Sequence, residues 1–175
     1  MNRMNWNRCV AFHGHACPGL AIGYRAVEWL EKHLKPDSST HTDETLVCLI
    51  ENDSCAVDAI QILTQCTIGK GTMVIDMKGK MAFNFFLSDH QESVRLLTRP
   101  FDEKKTKADT MDHVLNMPLE QLFEFKCPDV KIPKKARIYQ NTQCQNCEEP
   151  VAEPFTVTTD EKTLCLDCAH THASQ

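Results

Sequence analysis

The chain is 175 residues long, 42% hydrophobic and 25% charged, with a formal charge of −5 at neutral pH. Those values are ordinary for a globular protein of one domain plus an appendage, or of two small domains, and they exclude wholesale disorder and collagen-like sequence. The negative balance argues against a chain built globally to bind nucleic acid or acidic membranes, and the longest apolar run, Leu46–Ile50, is far short of the roughly 20 residues of a membrane-spanning helix.

Cysteine is the outlier, with ten in the chain beside eight histidines. The first residues carry no hydrophobic stretch, so the expectation is a chain without a secretory signal, working in the cytosol. In that reducing compartment so many cysteines read as metal ligands or redox groups rather than disulfides.

The pattern begins with a short extended stretch over residues 10–15. A helix is expected from Pro18 to about Leu34, because proline suits the first helical position, where its missing N–H is not needed. Leu20, Tyr24, Val27 and Leu34 share one face of it, with Ile22, Ala26 and Trp29 beside them, an apolar arc broad enough to imply burial on most sides. Residues 36–39 end it. Leu46–Ile50 reads as a buried strand. Asn52-Asp53-Ser54 supplies the cap of a second helix over 55–65. Residues 72–77 and 81–87 read as a hairpin turning at Lys78-Gly79. Helical segments are expected at 91–97, 109–115 and 119–125, the last after Pro118. Around 126–139 the composition turns basic, with Lys126, Lys131, Lys134, Lys135 and Arg137 against Asp129. This places a boundary near 132–137, between a core of residues 1–135 and a tail of residues 136–175. The basic stretch reads as a solvated linker or as a docking surface for an acidic partner.

The tail carries the strongest chemical signal. Cys144-x2-Cys147 and Cys165-x2-Cys168 are separated by seventeen residues, a spacing that suits tetrahedral zinc held by four thiolates. A hairpin around residues 155–158 and a helix opened by the second pair would make a zinc ribbon or treble clef. So short a module cannot build a sufficient core alone, so metal binding must supply much of its folding energy. His170 and His172 read as tail residues rather than ligands. Six acidic residues against Lys162 after Cys144 argue against a phosphate-tracking surface there.

The second signal is His13-Gly14-His15-Ala16-Cys17-Pro18-Gly19. In an extended chain residues 13, 15 and 17 would project to one side at intervals of about 6.8 Å, and Cys17 would precede a helix whose N–H groups favour a thiolate. Cys55 also stands at an expected helix start, with Asp58 one turn on. Cys66-Thr67-Ile68-Gly69-Lys70-Gly71 is not a phosphate-binding P-loop, since the upstream glycine and the Ser or Thr after the lysine are missing. Cys9 and Cys48 read as core; Cys127 has no assignment.

Residues 12–25, from Phe12-His13-Gly14-His15 through Cys17-Pro18-Gly19 to Tyr24-Arg25, resemble the opening signature of the formylmethanofuran dehydrogenase E-subunit family. Cys55-Ala56-Val57-Asp58-Ala59-Ile60-Gln61 and the Cys66–Gly71 segment resemble its second and third blocks. The resemblance covers about residues 9–90; residues 91–135 carry no matching motif. Some members of the family carry a C-terminal treble-clef zinc finger, which Cys144 to Cys168 fits.

The resemblance implies an α+β core, a homodimer, and a pocket able to hold a transition metal. Its candidates are His13, His15, Cys17, Cys55 and Cys66 as ligands, and Cys17, Cys55, Asp58 and Lys70 as catalytic groups. Mixed imidazole and thiolate donors favour zinc, with iron or nickel as alternatives. The family name implies an accessory component of a molybdenum or tungsten enzyme. The pterin site and iron–sulfur motifs of the large catalytic components are absent from this sequence, so the chain does not perform that reaction alone. The other readings are a stand-alone metal-dependent enzyme acting on a small molecule, and a metal-delivery or adaptor protein.

Overall fold

The computed structural model describes residues 2–34, 46–87, 92–102, 106–130, 139–159 and 161–173. The chain separates into two units, residues 1–136 and 137–175. Residues 35–45 and 131–138, which include the expected helix stop at 36–39, the boundary region, and Lys131, Lys134, Lys135 and Arg137, lie outside the described residues.

The first unit opens with helix α1 (Arg3–His13), where an extended stretch over 10–15 was expected. The Asn2 side chain accepts from the backbone N–H groups of Met4 and Asn5, and Gly14 closes the helix at φ 90°, a conformation that a side chain would strain. The helix is only weakly amphipathic. It is held by buried Cys9 and by Trp6, which stands edge-on to Tyr24 at 5.6 Å. Helix α2 (Pro18–His33) forms as expected: Cys17 caps it by accepting from the Leu20 N–H, and every residue from Leu20 to Val27 is buried. Helix α3 (Ala56–Thr64) follows the expected cap, with Asn52 Oδ1 accepting from the Ser54 backbone and hydroxyl, and Ser54 Oγ accepting from the Ala56 N–H. Gly23 faces α3 so closely that a Cβ would overlap the Ala56 carbonyl. That glycine sets how near the two helices lie.

Helix α4 (Lys107–Asn116) is capped by Thr106, which accepts from the Asp109 N–H. The buried Arg25 on α2 donates to the carbonyls of Leu115 and Met117 at its far end, at 2.5 and 2.6 Å. A guanidinium thus satisfies helix-end carbonyls that would otherwise be stranded.

Five strands, β1 (Leu46–Ile50), β2 (Met73–Ile75), β3 (Ala82–Leu87), β4 (Glu92–Thr98) and β5 (Phe123–Lys126), form one sheet in the order β2-β1-β3-β4-β5. Only β1 and β2 are parallel, joined through α3 as a parallel pair requires. Strands β2 and β3 therefore both exist where a hairpin was expected, but β1 lies between them. A helix was expected over 91–97; Gln91 lies outside the described residues, and Glu92–Thr98 form β4 instead, with Val94 and Leu96 buried on one face between β3 and β5. The expected helix over 119–125 stops after one turn, α5 (Leu119–Leu122), and Phe123 begins β5.

Leu46, Cys48 and Ile50, Phe83 and Phe85, Leu96 and Phe123 share one apolar cluster with the helices. Val47, Leu49 and Phe86, on the opposite face, form a small second cluster. That face also buries an ion pair. Arg95 places Nε and Nη2 each 2.7 Å from the Glu51 carboxylate, and Asn84 donates to Glu51 at 3.1 Å.

The second unit pairs β6 (Asn141–Gln143) with β7 (Pro150–Ala152) around the first cysteine pair. A 3-10 turn (Glu153–Phe155) leads to the hairpin of β8 (Thr156–Thr159) and β9 (Lys162–Cys165), and helix α6 (Leu166–Ala173) follows. Knuckle, hairpin and helix in this order make the expected treble-clef or zinc-ribbon module on an α+β core. Among the described residues, no helix is long and apolar enough to cross a membrane.

Candidate metal centres

Three helix ends meet at the first site. His13 is the last residue of α1, Cys17 caps α2, and Cys55 caps α3. One ligand atom from each lies within 4.8 Å of the others. The Gly14 reversal lets His13 and Cys17 face each other across a four-residue step, with His13 Nε2 3.9 Å from Cys17 Sγ. Asp58, one turn into α3, puts Oδ2 2.7 Å from His13 Nδ1. A carboxylate on one ring nitrogen orients the other toward a metal, which is how ligating histidines are commonly held. Gly19 gives the thiols room: a Cβ there would stand 3.2 Å from the Cβ of Cys55. Burial pushes the Cys55 thiol up, and neighbouring Cys17 and Asp58 push it the same way. A cation at this point would reverse that balance, because a coordinating thiol is deprotonated outright.

Of the other sequence candidates, His15 lines one cavity together with Cys17 and Cys55, and the rest lie elsewhere. The exposed ring of His15 tilts against His13 at 4.5 Å, outside the three-residue group. Cys66 is buried at the opposite end of α3, about 14 Å along nine residues of helix. There it donates to the Leu46 carbonyl at 3.4 Å, and Cys48 is its neighbour. A hydrogen bond from Cys48 holds the Cys66 thiol down to about 7, with Thr64, Thr72 and Lys70 acting in the same direction, while burial drives Cys48 well up. Lys70 belongs to that exposed loop after α3 and not to the three helix ends. Cys9 is buried and pushed up to about 11 by desolvation, as a core thiol should be.

A cavity of about 550 Å³ opens on Cys17 and Cys55. Its far wall comes from Met81, Phe101 and the first turns of α4, including Lys107 and Thr110. Sequence reading missed these residues, since they sit in or near the stretch without motifs. No spacing rule points from Lys107 to a cysteine 90 residues earlier.

In the second site Cys144 and Cys147 come from the knuckle, and Cys165 and Cys168 from the end of β9 and the first turn of α6; the four sulfurs lie within 4.8 Å of one another. Cys165 N–H donates to Cys144 Sγ at 3.2 Å, Cys168 N–H to Cys165 Sγ at 3.5 Å, and Asn146 Nδ2 to Cys168 Sγ at 3.2 Å. Donors aimed at sulfur are what a thiolate cluster needs. Backbone N–H groups of Cys147, Cys165 and Asn146 hold Cys144 down to about 6. Cys147, though helped by the Glu149 N–H, is driven up to about 12 by the other three sulfurs. Four crowded sulfurs cannot all ionise without a cation among them. The donor set and spacing fit a closed tetrahedral zinc site. His170 lies outside the four-cysteine group.

Fold and sites define an α+β protein with an imidazole–thiolate cluster at its helix ends and a four-cysteine module in its tail. The family model described as "FmdE, Molybdenum formylmethanofuran dehydrogenase operon" matches residues 12–124, and the chain belongs to that family. A crystal structure of an FmdE-like protein of the tungsten formylmethanofuran dehydrogenase type, from Syntrophus aciditrophicus, is similar with a TM-score of 0.68 and 25% identity, covering 94% of this chain and 90% of that one. A probable S-adenosyl-L-methionine-binding protein of Archaeoglobus fulgidus is 25% identical over 93% of this chain and 51% of its own length. The chain thus spans about half of that curated relative.

Proposed function

We propose that this chain is a two-centre metalloprotein whose core centre, built from His13, Cys17 and Cys55, works on a small molecule, while the four-cysteine tail holds a structural zinc. The observation that carries this reading is the contrast between the sites. The tail offers four sulfurs, enough to close a tetrahedron. The core offers three ligand atoms beside a cavity of about 550 Å³, the pattern of a centre that keeps a position open for substrate. Zinc suits that mixed donor set, with iron or nickel as alternatives.

When bound, such an ion supplies a Lewis acid that polarises a carbonyl or activates water. The chain's own groups do the rest. Asp58 fixes the His13 tautomer and ring plane, Cys17 and Cys55 supply negative charge, and the cavity wall shuts water from one side. The family description names a molybdenum formylmethanofuran dehydrogenase operon, which supports a setting beside a molybdenum or tungsten enzyme; we take the chain there to be an accessory homodimer in the cytosol.

Elemental analysis of untagged protein tests the centre. Two metals per chain are expected, falling to one in a Cys17→Ser/Cys55→Ser variant. One metal per chain, unchanged in that variant, would overturn it.

A further inference from the structure

The wall of the core cavity is chemically lopsided. Pro18, Ile22, Met81 and Phe101 give it an apolar floor, and Lys107 is the one lysine among the described lining residues, none of which is acidic. Lys107 is also the first residue of α4 and makes no ion pair among the described residues. Lys32, Lys78 and Lys126, by contrast, each sit on a carboxylate at 2.7–3.3 Å. The amino ends of α2 and α4 both border the cavity, through Cys17 to Gly19 and through Thr106 and Lys107. Their exposed N–H groups add positive potential to that of the ammonium. The chain's overall charge is −5, so this local positive bias runs against the molecule's average.

We propose that the cavity selects a small organic anion with an apolar body. Its charged end is held by Lys107, its body lies on Ile22, Met81 and Phe101, and its remaining polar end is turned toward Cys17 and Cys55. Only that last orientation rests on the metal-centre reading. About 550 Å³ falls in the range of pockets for single small ligands, which is roughly 300–1,000 Å³. Lys107 stands exposed at the edge of the cavity, and a carboxylate gives its ammonium a counter-charge that a neutral analogue of the same shape does not.

The test uses the full chain, loaded with zinc, and a pair of probes of equal shape, 4-phenylbutyrate and 4-phenylbutyramide. Calorimetric titration should show the carboxylate binding at least tenfold more tightly than the amide. Lys107→Met should bring the two within about threefold, and Lys107→Arg should retain the preference. Metal content is measured on the same samples. If it shows the tail zinc alone, the metal-centre reading fails, while the Lys107-dependent preference is still read directly. Equal binding of the two probes to the unaltered chain, binding of neither, or a preference that persists in Lys107→Met would each overturn the anion assignment.

Discussion

Asp58 reaches His13 across 45 residues of sequence, carboxylate oxygen to Nδ1 at 2.7 Å. The contact ties the first turn of α3 to the last turn of α1 and leaves Nε2 facing Cys17. Asp58→Asn keeps the size and loses the charge. Metal affinity of the core centre should fall about 10- to 100-fold, with the thermal unfolding of the metal-free protein little changed. Competition with a chromophoric chelator measures the affinity. An unchanged affinity would remove Asp58 from any orienting role.

Gly23 brings the backbones of α2 and α3 close together. Alanine inside a helix normally gains about 1 kcal/mol over glycine. Here the added methyl would overlap the backbone of Ala56, which no rotamer change relieves, and overpacking typically costs about 1–3 kcal/mol or more. Gly23→Ala should therefore destabilise the core in urea unfolding. Because Ala56 adjoins Cys55, it should also lower metal retention at the core centre. A more stable variant would mean that the helices separate freely.

Glu51 supplies a pH dependence whose sign follows from its partners. The Arg95 guanidinium, helped by Asn84, holds its carboxyl down to about 2 from an ordinary 4.5. A lowered carboxylate stabilises the fold at pH values above its unfolded value, and that contribution is lost as the pH falls from about 4.5 through 2. The depression corresponds to about 3 kcal/mol. Glu51→Gln should cost about 2 kcal/mol or more at pH 7. The gap from the unaltered chain should narrow at pH 3, measured by urea unfolding at both values. A gap independent of pH would deny the charge its role.

The tail should behave as a metal-dependent unit. Among its described residues the largest buried apolar side chain is Leu164, too little for a core without an ion. Cys144→Ser should lower metal content by one per chain and abolish slow amide exchange in residues 141–173, with protection of α2 and β3 retained. Loss of protection throughout the chain would show that the two units fold together.

The parts of this architecture that could be read from sequence are those specified by neighbours. Pro18 and the broad apolar arc announce α2, Asn52 and Ser54 announce α3, and four cysteines at metal spacing announce the tail. Residues specified by distant partners were misjudged. Glu92, Arg95 and Leu97 are good helix formers, yet β3 and β5 claim the segment as a middle strand. Strands β2 and β3 are close in sequence, but β1 is inserted between them by the crossover through α3. At the site, His13, Cys17, Cys55 and Asp58 converge as their motifs suggest. Cys66 shares those motifs and lies elsewhere: nothing local says that it turns toward Cys48 at the far end of α3. His15 stays beside the site, on the cavity that Cys17 and Cys55 line. The helix α1, supported by an asparagine cap and an edge-on tryptophan, had no periodic signal to betray it.

Each of the three candidate core ligands belongs to a different helix, and each sits at that helix's end. A sulfur or nitrogen there moves with the whole rod behind it, so a shift of about 1 Å in any one rod is enough to loosen a site of this kind. The junction acts as a gauge of the packing beneath it. Core mutations far from His13, Cys17 and Cys55 should register there as altered metal off-rates before they register as unfolding.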